Sequence, residues 1–239
     1  MGCTNPSSSI ARRMAALTPN SANVFIVSAK LQNNQDNRPT IVNYFLILPF
    51  NSKQKETSNL TIMKICVFCS ANWQIDPEFF ERAEELGLWA AKNAHSIVFG
   101  GHDAGLMHAV SKAAHEAGGQ VIGVVPRVIE RMGKLSPYLD VHIPTEDLTD
   151  RKQLMMDQSD AFIVLPGGIG TLDELFTVMA AATLNYHHKP VMLYNINGFW
   201  DSLIACLDDL HKRGVTRKQW RTYIKVVTSL DELQQLLEA

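Results

Sequence analysis

From Lys64 onward, short apolar runs alternate with stretches long enough for helices. The runs are "KICVFC" (64–69), "SIVFGG" (96–101), "QVIGVVP" (120–126), "YLDVHIP" (138–144), "AFIVLP" (161–166), "PVMLYNI" (190–196) and "IKVVT" (224–228). Near-continuous apolar character marks strands buried on both faces. Between them, helices are expected at 76–93, 104–119, 148–159, 171–184 and 199–213, with a last one opened by Ser229. Asp76 suits a cap, Pro77 suits the first helical position, and Gly118–Gly119 suits a stop. This alternation predicts an α/β fold: a doubly wound parallel sheet in a single domain, 63–239. Ligands of such sheets sit at the carboxyl ends of the strands. Three loops therefore converge on one edge: Ser70 onward, Gly100–Gly105 and Gly167–Thr171.

Residues 1–62 differ. They are rich in Asn and Ser and carry six basic and two acidic residues, against 16 and 22 in the remainder. They are expected to form a disordered or weakly ordered N-terminal extension, or to lie upstream of a natural start at Met63, and no function is assigned to them. Their longest apolar run, "IVNYFLILPF", is about half the ~20 residues a membrane helix needs. "MGCTNP" places Pro6 where a myristoylation signal wants Ser or Thr, and no basic amphipathic helix supports a transit peptide.

The formal net charge of −2 over 239 residues gives no electrostatic case for nucleic acid or an anionic membrane. Four cysteines, Cys3, Cys66, Cys69 and Cys206, make neither a disulfide framework nor a metal array. The C-x-x-C of Cys66 and Cys69 lies inside a strand-like run, which argues against redox or zinc chemistry. A reduced, cytoplasmic setting is the expectation.

The junction "LPGGIGTLDELF" (165–176) concentrates the chemistry. Gly167, Gly168 and Gly170 let the backbone turn tightly and approach a ligand. A helix starting near Thr171 would aim free N–H groups and its positive dipole end into the loop, which suits a phosphate. A plain tight turn explains the glycines equally well. Thr171 and Glu174 have capping-box spacing. The competing reading makes Glu174 a catalytic carboxylate aimed at the sugar of a bound nucleotide, with Asp173 a helix-dipole partner. The following helix is apolar almost all round, so one face is expected to cover the sheet and the other to meet a second subunit. Arg151 and Lys152 stand at a helix start, where cations are disfavoured. They are either a solvated pair or face an anion at the sheet edge. His102, His108, His115, His187 and His188 show no metal-ligand spacing.

These residues carry a resemblance. "PGGIGTLDE" (166–174) resembles the PGGxGTxxE motif of the LONELY GUY family of cytokinin riboside 5′-monophosphate phosphoribohydrolases, and "RK" (151–152) matches that family's second motif. "KICVFCSAN", "GGHDAGLM" and "HHKPVMLYNINGFWDSL" extend the similarity over 64 to about 230. PGGxGT alone is shared in similar form by molybdenum-cofactor carriers and a DNA-processing family.

The resemblance implies a Rossmann-like fold, a homodimer, no metal or organic cofactor, and hydrolysis of a nucleoside 5′-monophosphate to free base and ribose 5-phosphate. AMP and N6-modified adenine nucleotides are the expected substrates. It implies Arg151 and Glu174 as the catalytic pair. Lys152, Gly167, Gly168, Gly170 and Thr171 would line the nucleotide site, with Gly100, Gly101, Ser70 and Met155 nearby. His102 replaces the family's usual third glycine, and Leu148 stands where Met is frequent. Members have carried a lysine-decarboxylase label, but no lysine here is marked out for pyridoxal phosphate. A non-catalytic nucleotide or molybdenum-cofactor carrier is the alternative; such a carrier needs the glycine loop but not the Arg–Glu pair.

Overall fold

The computed structural model describes residues 24–31, 40–47 and 61–238. The chain divides into two units, Met1–Ser58 and Asn59–Ala239. In the first, β1 (Val24–Leu31) and β2 (Thr40–Ile47) pair antiparallel, Val24 opposite Ile47 and Leu31 opposite Thr40. The remainder of residues 1–60, with Cys3, lies outside the described residues.

The second unit follows the alternating rhythm. Its strands are β3 (Lys64–Phe68), β4 (Ser96–Phe99), β5 (Val121–Pro126), β6 (Val141–Thr145), β7 (Ala161–Val164), β8 (Val191–Tyr194) and β9 (Lys225–Val227). Its helices are α1 (Pro77–Lys92), α2 (Gly105–Glu116), α3 (Arg127–Arg131), α4 (Leu148–Asp157), α5 (Ile169–Thr183), α6 (Asp201–Lys212) and α7 (Leu230–Glu238). The strands form a seven-stranded, all-parallel sheet in the order β6-β5-β4-β3-β7-β8-β9. The chain winds outward from β3 to β6, returns to β7, and winds outward the other way to β9. The order reverses between β3 and β7, so a crevice opens at their carboxyl ends.

Two core layers explain the continuous apolar runs. Ile65 and Val67 face one side with Leu86 of α1, Leu106 of α2 and Leu233 of α7. Cys66 and Phe68 face the other with Met155 of α4, Leu175 of α5 and Leu207 of α6. Every strand residue from Ile65 to Phe68 is buried, so no polar face is left to alternate. Burying each large apolar side chain contributes about 1.5–3 kcal/mol. The two thiols of the C-x-x-C fall in opposite layers and are free, as is Cys206. Redox pairing of Cys66 with Cys69 is excluded by that geometry.

Two expectations shift. The strand expected at 138–144 is Val141–Thr145, an edge strand with only Thr145 buried, where burial gives a weak signal. The five-residue α3 has no buried residue and left no apolar pattern to read. Among the described residues, no helix is long and apolar enough to cross a membrane.

Candidate active site

The β3 and β7 loops are locked together. Leu165 N–H donates to the Phe68 carbonyl at 2.9 Å, and Ser70 N–H donates to the Pro166 carbonyl at 3.0 Å. The Ser70 carbonyl in turn accepts from Leu106 N–H at 2.9 Å, which ties in the start of α2. Gly105 makes this approach possible: its φ is +54°, and a Cβ there would collide with the backbone of Ala71 and Asn72. Between these loops lies a cleft of ≈ 480 Å³. Ser70, Asn72 and Met107 form one wall, Gly168, Gly170 and Thr171 another, and Arg151 and Glu174 stand together within it.

Helix α5 begins earlier than the sequence suggested. Gly168 is its N-cap and Ile169 its first residue, so Thr171 sits inside the first turn. The capping box of Thr171 with Glu174 does not form, because Thr171 already has helical geometry and Gly168 holds the cap position. No side chain caps the helix. Its first intrahelical bond is Leu172 N–H to the Gly168 carbonyl at 3.0 Å. The N–H groups of Ile169, Gly170 and Thr171 precede that bond and have no helical acceptor. Thr171 is buried with its side chain folded against Gly167, where a Cβ would have no room.

Glu174 points from α5 to Arg151 on α4. Arg151 Nη2 donates to Glu174 Oε1 at 2.6 Å, with the side chains only 13% and 6% exposed. Asp147 caps α4, accepting from Thr149 N–H at 2.8 Å and Asp150 N–H at 2.9 Å. The helix that carries the arginine is thus anchored by a carboxylate that never reaches the cleft wall. Gly100 leaves the space that the guanidinium fills; a Cβ there would overlap it. Arg151 Nε is buried without a partner, and Glu174 Oε2 accepts no hydrogen bond among the described residues. A buried, half-satisfied ion pair is costly to keep for stability alone. Burial raises the Glu174 carboxyl from 4.5 to about 7, against the opposing pull of Arg151; Asp173 raises it further and Lys152 lowers it.

A family model described as "possible lysine decarboxylase" matches residues 107–237. A cytokinin riboside 5′-monophosphate phosphoribohydrolase of Arabidopsis thaliana is 35% identical over 190 residues, covering 77% of this chain and 84% of that protein. A probable enzyme of the same name from Oryza sativa subsp. japonica is 36% identical over 182 residues, covering 73% and 83%. This chain belongs to the LONELY GUY family.

Solved structures agree on the fold. A structural-genomics target is 28% identical, with a TM-score of 0.59 over 74% of this chain and 99% of that one. The molybdenum cofactor binding protein of Rippkaea orientalis has a TM-score of 0.58 at 22% identity, over 74% and 96%, a likeness of fold alone.

Of the residues that the LONELY GUY motifs singled out, Ser70, Gly168, Gly170, Thr171, Arg151 and Glu174 line the cleft together. Gly100 and Gly167 lie behind it, making room for Arg151 and Thr171. Gly101 shapes the second loop with a φ of +71°. Lys152 turns away: its Nζ donates to Asp173 at 2.8 and 2.9 Å. Met155 is fully buried in the core under α4. Lys152 and Met155 are thus placed outside the cleft lining. Cys69, Ala71, Asn72 and Met107 line it without having been singled out. The strand-edge rule pointed to the Ser70 loop, so Ala71 and Asn72 were within its reach. Burial pushes the Cys69 thiol far above its ordinary range, which leaves it inert.

Three of the histidines have ordinary partners. His108 pairs with Asp103 at 2.7 Å, His115 with Asp140 at 3.5 Å, and His187 with the Val178 carbonyl at 2.8 Å. Among the described residues, no three His, Cys, Asp or Glu side chains are placed to hold a metal.

Proposed function

We propose that this chain hydrolyses the N-glycosidic bond of nucleoside 5′-monophosphates, AMP or N6-modified adenine nucleotides, to free base and ribose 5-phosphate. The observation that carries the reading is the buried Arg151–Glu174 pair beside an uncapped glycine helix start. The catalytic unit is residues 63–239.

The open amides of Ile169, Gly170 and Thr171 receive the phosphate, helped by the helix dipole. The phosphate is the handle that places the ribose over Glu174. As the bond to the base breaks, its electron pair leaves with the base and positive charge grows on the sugar. Ionised Glu174 stabilises that charge and takes a proton from the attacking water, whose oxygen bonds to the anomeric carbon. The departing base takes up a proton from solvent and Glu174 returns the water's proton to solvent, which completes the balance. Arg151 holds Glu174 in place and offers its remaining N–H groups to the substrate. Because binding energy from the phosphate drives the step, a nucleoside without it reacts poorly.

A homodimer is part of the proposal. Leu175, Val178 and Ala182 of α5 cover the sheet, while Phe176 and Leu184 are 41% and 62% exposed, beside Tyr186 at 79%. That apolar stripe suits a second copy. Sedimentation at micromolar concentration tests it; a monomer there overturns it. The free thiols of Cys66, Cys69 and Cys206 support a cytoplasmic setting.

The deciding experiment incubates the protein with AMP, isopentenyladenosine monophosphate, GMP, CMP and adenosine, and separates the products by chromatography. Free base from an adenine monophosphate, absent with Glu174→Gln, supports the enzyme. Tight binding of a nucleotide without turnover would move the assignment to a carrier.

A further inference from the structure

A second cleft opens on the same edge of the sheet, at the carboxyl ends of β8 and β9. It has a volume of ≈ 490 Å³ and shares no lining residue with the Arg151–Glu174 cleft. Small-molecule sites run about 300–1,000 Å³.

Its floor is Tyr194, the last residue of β8, which is 1% exposed. The Tyr194 hydroxyl makes no hydrogen bond among the described residues. It is also absent from the sealed, unpartnered atoms, which are Thr145 Oγ1, Arg151 Nε and Trp200 Nε1. The hydroxyl is thus not fully enclosed, and the residue lines the cleft beside Arg82, Glu85 and Asp231. Buried tyrosines ordinarily give this group a partner.

The walls define the charge of that partner. Glu78, Arg82 and Glu85 come from α1, Asp231 from the first turn of α7. Arg82 is the one lining cation, and it is already engaged. Its Nη1 donates to both Glu85 oxygens at 3.0 and 2.8 Å, and its Nη2 to Glu78 Oε1 at 3.3 Å. Glu78 Oε2 accepts from Asn197 Nδ2 at 2.6 Å. The start of α7 is partly capped, since Ser229 Oγ accepts from Glu232 N–H at 3.2 Å. Asp231 keeps its carboxylate without a partner among the described residues. The lining thus carries three carboxylates against one guanidinium, the Asp231 carboxylate unpartnered, with an unpaired phenol beside them. Burial keeps the Tyr194 phenol above its ordinary range, hence neutral and able to accept from a cation while donating to a carboxylate.

We propose that this cleft is a second ligand site, which takes a small organic cation, a primary amine or guanidinium compound, between Asp231, Glu85 and the Tyr194 hydroxyl. A metal ion does not fit, for lack of a suitably placed donor set among the described residues. The proposal is independent of the reaction assigned to the first cleft.

Calorimetric titration of the full chain with agmatine and with putrescine tests it, using Glu174→Gln protein when AMP is added so that the nucleotide survives. The expected result is saturable binding of at least one amine with a Kd of about 1 mM or tighter. Asp231→Asn should weaken it about tenfold or more, and Tyr194→Phe about fivefold, with thermal melts unchanged. Saturating AMP should leave it unaltered. No saturable binding of either amine, equal binding by both variants, displacement by AMP, or stronger uptake of inorganic phosphate at this cleft would each overturn it. Hydrolysis of AMP, measured separately, reports on the first cleft alone.

Discussion

Helices α4 and α5 bring the two halves of one ion pair together, yet they begin in opposite ways. Helix α4 starts at Asp147, whose carboxylate accepts from Thr149 and Asp150. Helix α5 starts at Gly168, and no side chain satisfies its first turn. An aspartate cap is worth about 1 kcal/mol over an apolar residue. A carboxylate at that place would also repel a phosphate. The difference separates a helix whose start is capped by a side chain from one whose start is left open.

The strongest way to break this reading acts where the two helices meet. Glu174→Gln keeps the shape of the pair and removes its charge, so kcat should fall about 10²–10⁴-fold while nucleotide binding persists. Steady-state rates with calorimetric binding would check it, and a variant of near wild-type kcat would remove Glu174 from the chemistry. Next comes Gly168→Asp, which gives α5 the cap that α4 already has. Gly168 has a negative φ and open space at its Cβ, so the fold accepts the change. The melting temperature should rise slightly, reflecting about 0.3 kcal/mol because Gly is itself a fair cap, while KM for the monophosphate rises about a hundredfold. A stabilised protein with unchanged KM would place the phosphate elsewhere. Gly100→Ala pushes on the Arg151 guanidinium and should lower kcat by tens of fold, up to about a hundredfold, since a displacement near 1 Å costs that much.

The pH dependence sharpens the same contrast. The Glu174 carboxyl is raised from 4.5 to about 7 chiefly by burial. In the proposed reaction its ionised form does the chemistry, so kcat should climb with pH through about 7. Stability should move the other way. The folded chain holds a proton that the unfolded chain releases, so stabilisation present below about pH 4.5 is lost as pH rises through about 7. Urea midpoints should show that decline, and Glu174→Gln should flatten it. The smallest effect belongs to the capped helix. Asp147→Ala should cost about 1 kcal/mol of stability with only a modest loss of kcat, as read from denaturation and rates together.

Much of this was legible in the chain. The apolar runs located the seven strands of the parallel sheet, because strands buried on both faces cannot hide their composition. Edge strand β6 slipped by a few residues, because only Thr145 in it is buried. The Arg151, Glu174 and glycine motifs pointed to the cleft. Lys152 and Met155 carried the same motif signal but turn to Asp173 and to the core. Helical periodicity places adjacent residues on different faces, and which face meets a ligand is set by neighbours distant in sequence.

By itself, the sequence determined the order of elements, the parallel sheet and most of the residues that gather at the cleft. These follow from local patterns of burial, turn chemistry and charge. Tertiary structure decided three things no local pattern holds. It started α5 at Gly168, so that Glu174 left the cap and met Arg151, 23 residues away. It emptied the space at Gly100 for that arginine. And it buried the pair deeply enough to bring a carboxyl to about 7. Proton affinity answers to the water excluded around a group, and that exclusion exists only once distant strands and helices close over it.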